Sequence, residues 1–228
     1  MTSPNPGASP RVPRWAIILT VAVAVLLVSV LVAISASGGD DEGGGARLDL
    51  TGLSQEGDRL GQADAPVEIV EYADLQCPFC ASAASDTVPE LVDAYVRDGT
   101  AKLVFRPLTF IGEDSMRGAL ALAAAGGQNK MWQFVEYLYG EQKGENDGWL
   151  SDALITRAAA AVGLDAAKLD TDRAADAARE LVARAAQQAQ ADGVESTPTF
   201  VVSGPKGKII VRDYRNLGEF DAAVRSVR

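Results

Sequence analysis

The chain has 228 residues, 47% of them apolar and 23% charged, proportions that exclude wholesale disorder and fibrous repeats. Its 31 acidic and 21 basic residues give a formal net charge of −10 with no basic run, which argues against a nucleic-acid partner. There is no histidine, so Ser-His-Asp, Cys-His and His-ligated metal schemes are all excluded, and the two cysteines carry what chemistry remains.

Residues 1–14 are rich in Pro, Ser, Gly and Asn and read as a disordered cytoplasmic tail. Residues 15–36 hold 22 uncharged, mostly aliphatic positions. As a helix they would cover roughly 30 Å, enough to cross a bilayer. Arg11 and Arg14 precede this stretch, while Asp40, Asp41 and Glu42 follow it. The positive-inside rule therefore predicts a single-pass anchor with the rest of the chain exported. A cleaved signal peptide competes, with Ala33, Ile34 and Ser35 as a weak cleavage site, but its apolar core is normally only about 7–15 residues. With no cysteine in this segment, lipidation there is excluded.

Residues 37–46 form a Gly-rich, charged linker. A flexible coil of that length spans only about 15–18 Å, so it would hold its cargo close to the membrane. The exported part carries 19 basic and 31 acidic residues, a balance that keeps it off anionic lipid.

Residues 47–228 read as one domain. Residues 67–72 (VEIVEY) are β-rich and run directly into Cys77-Pro78-Phe79-Cys80. Val88, Leu91, Val92, Tyr95 and Val96 then form the apolar stripe of a helix. Pro89 should kink or restart it, with Asp86 or Thr87 as a local cap and Asp98-Gly99 as the stop. Residues 101–106 (AKLVFR) make a second strand and complete a βαβ unit.

A helical insertion follows over about residues 113–192. The spacing predicts one helix marked by Met116, Leu120 and Ala123, and another by Met131, Phe134, Val135 and Leu138. A third is marked by Leu150, Leu154, Ala158 and Val162. The last runs from about residue 172 to 191 with Ala178, Leu181, Val182, Ala185 and Ala189 inward. At helical spacing the aromatic stripe Trp132, Phe134 and Tyr137 reads as core packing, not a ligand box. Residues 199–202 and 209–211 pair as a hairpin across the turn at Ser203 to Gly207, and residues 217–227 close the chain as a short helix.

Cys77-X-X-Cys80 opens a helix directly after a strand, which sets the first sulfur against free backbone N–H groups and the positive end of the helix dipole. A thiolate there has a lowered pKa and is both a nucleophile and a good leaving group. The second sulfur, one turn on, can attack a mixed disulfide, and Pro78 sits where a missing N–H costs little. Two thiols without imidazole cannot close a zinc site in one chain, and a strand-to-helix junction fits a shared site in a dimer poorly. A purely structural bridge of this span would constrain little of the unfolded chain. Redox activity is therefore the favoured reading. Ser196-Thr197-Pro198-Thr199 before a strand is, by itself, compatible with a plain loop proline.

Together, Leu60-Gly61-X-X-Asp64-Ala65-Pro66-Val67, Glu71-Tyr72-X-Asp74-X-Gln76-Cys77-Pro78-Phe79-Cys80 and Gly193-Val194-X-Ser196-Thr197-Pro198-Thr199-Phe200 resemble the DsbA-like branch of the thioredoxin superfamily over about residues 55–225. The resemblance implies an α/β thioredoxin-like fold with an α-helical insertion. It further implies Cys77 as exposed nucleophile, Cys80 as the more buried resolving cysteine and Pro198 as a cis-proline facing them. Pro78, Phe79 and Thr197 would line a shallow groove for unfolded chains, and the Thr197 backbone would pair with an extended substrate. Glu71 matches a buried acid that helps move protons at the second cysteine, although the strand pattern alone places it equally well facing solvent.

One position departs from the family's strong oxidants, which carry histidine after the proline where this chain has Phe79. That side chain offers no hydrogen bond or charge to Cys77, which predicts a less depressed pKa and a less extreme potential. The resemblance implies a membrane-anchored, extracytoplasmic thiol:disulfide oxidoreductase, most simply an oxidase of exported proteins. It needs no cofactor or metal beyond its own disulfide and would be re-oxidised by a DsbB- or VKOR-type membrane enzyme. A tethered reductase or isomerase, for example in cytochrome c maturation, and a redox-silent peptide-binding module remain the alternatives.

Overall fold

The computed structural model describes residues 48–228, so the expected tail, membrane anchor and linker lie outside the described residues. Six strands form one sheet: β1 (Gln55–Glu56), β2 (Arg59–Leu60), β3 (Val67–Ala73), β4 (Ala101–Pro107), β5 (Thr199–Gly204) and β6 (Gly207–Val211). Their spatial order is β1-β2-β4-β3-β5-β6, with β3 and β4 parallel and the other neighbours antiparallel. Between β3 and β4 runs α1, a helical run in four segments: Pro78–Ser82, Ala83–Thr87, Val88–Leu91 and Val92–Val96. The insertion follows as α2 (Glu113–Gly126), α3 (Met131–Gly140), α4 (Asp152–Ala161), α5 (Ala166–Ala174) and α6 (Asp176–Ala191), and α7 (Leu217–Val227) ends the chain. Among the described residues no helix is long and apolar enough to cross a membrane.

Side chains of a strand alternate between its two faces, and both faces of β3 are covered. Val67, Ile69 and Ala73 enter the main core with Leu103, Phe105, Phe200 and Phe220. Val70 and Tyr72 enter a second cluster with Val104, Ala189 and Val201, under α6. Edge-to-face pairs fasten the outer elements, Phe200 to Phe220 at 5.3 Å and Phe105 to Trp132 at 6.0 Å. The Trp132 indole also donates to the Asp58 carbonyl at 3.0 Å, tying α3 to the β1–β2 turn. Trp132 and Phe134 are buried and Tyr137 is partly buried, as core packing requires.

Several expectations need correction. The hairpin β1–β2 was not anticipated, because two-residue strands carry no readable period. Pro89 restarts the helix, as expected, but without a side-chain cap. The preceding segment Ala83–Thr87 is π-helical, which absorbs the missing N–H and gives the proline ring room. Thr87 keeps helical φ/ψ and spends its hydroxyl on the Tyr214 carbonyl at 3.1 Å instead. The long last helix of the insertion is two, because Ala175 turns extended at φ −73°, ψ 153°. Met116 and Leu181 face outward. The inward face of α2 is set by Ser115, Gly118 and Leu122, and Leu181 borders an open cavity of about 400 Å³ that none of the cysteine-loop residues line.

Candidate active site

β3 runs into a loop that delivers Cys77 as the N-cap of α1, with extended backbone (φ −76°, ψ 119°) and Pro78 in the first turn. The Cys80 and Ala81 amides close back on the Cys77 carbonyl at 3.0 and 3.2 Å, which fixes both sulfurs on one helical turn. Across from them the Thr197–Pro198 peptide is cis, as expected, and the Cys77 thiol donates to the Thr197 carbonyl at 3.4 Å. Both cysteines are free thiols. Cys80 is fully buried, and Cys77 keeps only 5% exposure. The expectation of an exposed nucleophile is thus corrected in degree: the cis-proline loop closes over Cys77 while leaving it the more accessible of the two. Pro78 and Phe79 follow it as exposed residues, and Thr197 is half-buried with its carbonyl against the sulfur.

The two thiols differ in acidity for identifiable reasons. A hydrogen bond from the Cys80 thiol does most to hold the Cys77 pKa down at about 6; burial opposes it, and the Thr197 side chain and the Cys80 and Phe79 amides assist. The strongest donor is therefore the partner thiol, with the backbone donors anticipated from the helix start in a supporting role. Burial, and then the same hydrogen bond to Cys77, push Cys80 far above the ordinary thiol range.

Glu71 lies on the main-core face of β3, in register with Phe105 on one side and Phe200 on the other. It is buried, its Oε1 has no hydrogen-bond partner, and burial lifts its pKa to about 8. The solvent-facing alternative is excluded. Glu68, three residues earlier and so on the opposite face, is the partly exposed acid and faces Lys102 at 3.9 Å.

Sequence reasoning missed the polar frame that holds the cysteine loop. Asp74 is fully buried and accepts from the Gln76 amide (2.9 Å), the Ser115 hydroxyl (2.6 Å) and the Ile111 amide (3.1 Å). The Gln76 side chain exchanges bonds with Asn146, and Gln142 donates to the Leu75 and Cys77 carbonyls at 2.7 and 3.1 Å. Tyr139 donates to the Asp74 carbonyl at 3.4 Å. Burial raises its pKa most, and charge on Cys80, Glu71, Asp74 and Cys77 adds to this, which places the phenol among all four groups. Gly118 lets α2 approach this loop, since a Cβ there would lie 2.6 Å from Leu75 Cδ1. Asp74→Ala would leave three donors facing an apolar methyl, and it is expected to lower the unfolding free energy by about 3 kcal/mol in urea titration.

Beyond β6, the Tyr214 hydroxyl is buried without a partner. Burial raises its pKa, Arg215 opposes this, and charge on Cys80 and Cys77 adds to the rise, so this loop also flanks the pair. Among the described residues no cluster of His, Cys, Asp and Glu side chains could hold a metal ion. The arrangement suits thiol–disulfide exchange: one acidic sulfur within reach, one protected sulfur behind it, and a buried acid on the strand that leads into the cysteine loop.

A family model described as thioredoxin matches residues 54–218. The chain is 31% identical over 149 residues to the probable disulfide bond formation protein D of Bacillus cereus, covering 64% of this chain and 69% of that protein. Oxidised BdbD from Bacillus subtilis superposes with a TM-score of 0.67 at 23% identity, over 76% of this chain and 95% of that one. A thioredoxin-like oxidoreductase from Silicibacter pomeroyi does so with a TM-score of 0.61 at 32% identity, over 73% of this chain and 89% of that one.

Proposed function

The chain belongs to the thioredoxin family as a DsbA-like thiol:disulfide oxidoreductase with the pair Cys77 and Cys80, and from that premise we propose that it is an oxidase of exported proteins. The observation that carries this reading is the split between the two sulfurs, one held near pKa 6 and the other buried and protonated. In the oxidised enzyme a substrate thiolate attacks Cys77 Sγ. The Cys77–Cys80 bond breaks, and Cys80 leaves as a thiolate and takes up a proton. A second substrate thiolate then attacks the substrate sulfur of the mixed disulfide and releases Cys77 as a thiolate. The substrate gains one disulfide; the enzyme holds the two electrons and, on Cys80, one proton, while the second substrate proton passes to solvent.

In this reading Glu71 supplies the proton that Cys80 needs, which its raised pKa supports by keeping it protonated at neutral pH. Pro198 and Thr197 hold the incoming chain against Cys77, with Pro78 and Phe79 as the apolar lip of the groove. The name of the Bacillus cereus relative, probable disulfide bond formation protein D, supports the oxidative direction. The apolar residues 15–36 support a single-pass anchor with this domain outside the membrane. Re-oxidation then falls to a DsbB- or VKOR-type membrane enzyme.

The reduction potential tests the direction. A Cys77 pKa near 6 lies between the values of about 7 for thioredoxin and about 3.5 for DsbA. The potential should therefore lie between about −270 and −120 mV. An equilibrium titration against glutathione is expected to give about −180 mV or higher, the range of a disulfide donor. A value near −270 mV would instead place the chain with the reductants, the reading that Phe79 in place of histidine favours.

A further inference from the structure

The loop between β6 and α7 carries a cation that the exchange chemistry does not use. Arg215 is exposed, and its guanidinium carbon lies 4.8 Å from the centre of the Tyr214 ring and 5.9 Å from that of Phe79. The bond from Thr87 to the Tyr214 carbonyl ties this loop to α1, so the cation is held over the third residue of the Cys-Pro-Phe-Cys turn. Most arginines of the described region pair with a carboxylate, as Arg97, Arg117 and Arg173 do, but Arg215 joins no ion pair among the described residues. The carboxylate two residues before it, Asp213, accepts from the Arg215 backbone amide at 3.1 Å.

A guanidinium stacked on aromatic rings uses its flat face for that contact and keeps the N–H donors along its edge. Those donors match a carboxylate two at a time. A polypeptide that reaches Cys77 across the exposed ring of Phe79 comes within reach of Arg215. We propose that Arg215 is a specificity-determining residue, selecting substrate thiols flanked by aspartate or glutamate. The proposal rests on the exchange reading above and concerns only which thiols react fastest. The exported part as a whole is acidic, with 19 basic against 31 acidic residues, and would repel an acidic substrate at long range. At physiological salt that repulsion is screened beyond about 8 Å, whereas the contact at the rim of the site is not. The cation thus acts on the docked substrate and sets its register more than its arrival.

The test uses the oxidised full-length chain in mild detergent and two dithiol peptides that differ only in having glutamates or lysines on both sides of the first cysteine. The initial rate of peptide oxidation is followed by chromatography. It is divided by the rate of the same peptide with hydroxyethyl disulfide, an uncharged oxidant, which removes the effect of the flanks on the thiol itself. The corrected rate is expected to favour the glutamate peptide by about fivefold at physiological salt, where the long-range repulsion is screened and the contact at the rim is kept. Arg215→Glu should invert the order and Arg215→Lys should keep part of the preference, both without moving the reduction potential of the pair. Equal corrected rates in the wild type would overturn the proposal, and so would a preference that survives Arg215→Glu. A loss of rate shared equally by both peptides in Arg215→Glu would overturn it as well, leaving Arg215 a structural role. If the wild type oxidises neither peptide, the exchange reading itself falls and takes the selectivity with it.

Discussion

Cys80→Ser is expected to accumulate mixed disulfides between Cys77 and oxidised partners, while Cys77→Ser accumulates none and exchanges at least about 100-fold more slowly. The asymmetry follows from protonation. With a pKa near 6, Cys77 is mostly thiolate at pH 7. An ordinary thiol is ionised to only about 3% there, and Cys80 is held well below even that by burial. Thiolate fraction alone therefore separates the two sulfurs by about two orders of magnitude, before access is considered. In the Cys80→Ser chain, Cys77 attacks a partner disulfide, one S–S bond is exchanged for another, and no second thiol is present to release the partner. Non-reducing electrophoresis with mass spectrometry of the adducts reads this directly. Adducts at Cys80 in the Cys77→Ser chain would reverse the roles.

The same state sets a pH dependence. Cys77 is protonated below about pH 6 and ionised above it, so alkylation of the reduced chain by iodoacetamide should rise through that pH and then level off. Cys80→Ala should move this midpoint upward, because it removes the thiol that donates to Cys77 and contributes most to its acidity.

The parts of the fold that announce themselves in sequence are those whose period survives burial. β3, β4 and α7 were legible because their apolar residues recur at strand or helix spacing. The cysteine turn was legible because two thiols and no histidine leave few other schemes. The break between α5 and α6 was not legible, since Ala175 is a good helix former and the turn there answers to packing around it. The frame around Asp74 was invisible for a different reason. Ser115, Tyr139, Gln142 and Asn146 come from the insertion, 39 to 70 positions away from the loop residues they bond. No spacing rule connects residues that only the folded insertion brings together. The resemblance supplied Asp74 and Gln76 as letters of a motif without saying what they hold.

Glu71 shows where local pattern and tertiary structure part, and it leads to the second large effect: Glu71→Gln is expected to flatten the fall of stability with rising pH. Parity along β3 puts Glu68 and Glu71 on opposite faces, but sequence does not say which face is covered, and α6 covers the second one as well. Glu71 is left in the main core with an unpartnered oxygen and a pKa near 8, against 4.5 for the free side chain. Between those two values the folded chain holds a proton that the unfolded chain has released, so stability falls as pH rises through the window and levels off above about 8. The full drop amounts to about 5 kcal/mol, comparable to the whole stability of many domains. Glutamine keeps the shape and has no proton to lose. Near pH 5 the variant should match the wild type or fall about 1–2 kcal/mol below it, because a neutral amide in this core lacks a partner as well. At pH 8.5 the order should invert, with the variant the more stable. Urea unfolding of both reduced proteins at the two pH values measures the crossing, and parallel pH profiles would show that Glu71 does not titrate in the folded state. If Glu71 also protonates Cys80, the variant should lose exchange rate at pH 7 while it gains stability at pH 8.5. That opposition separates a buried acid kept for proton transfer from one that merely fills space.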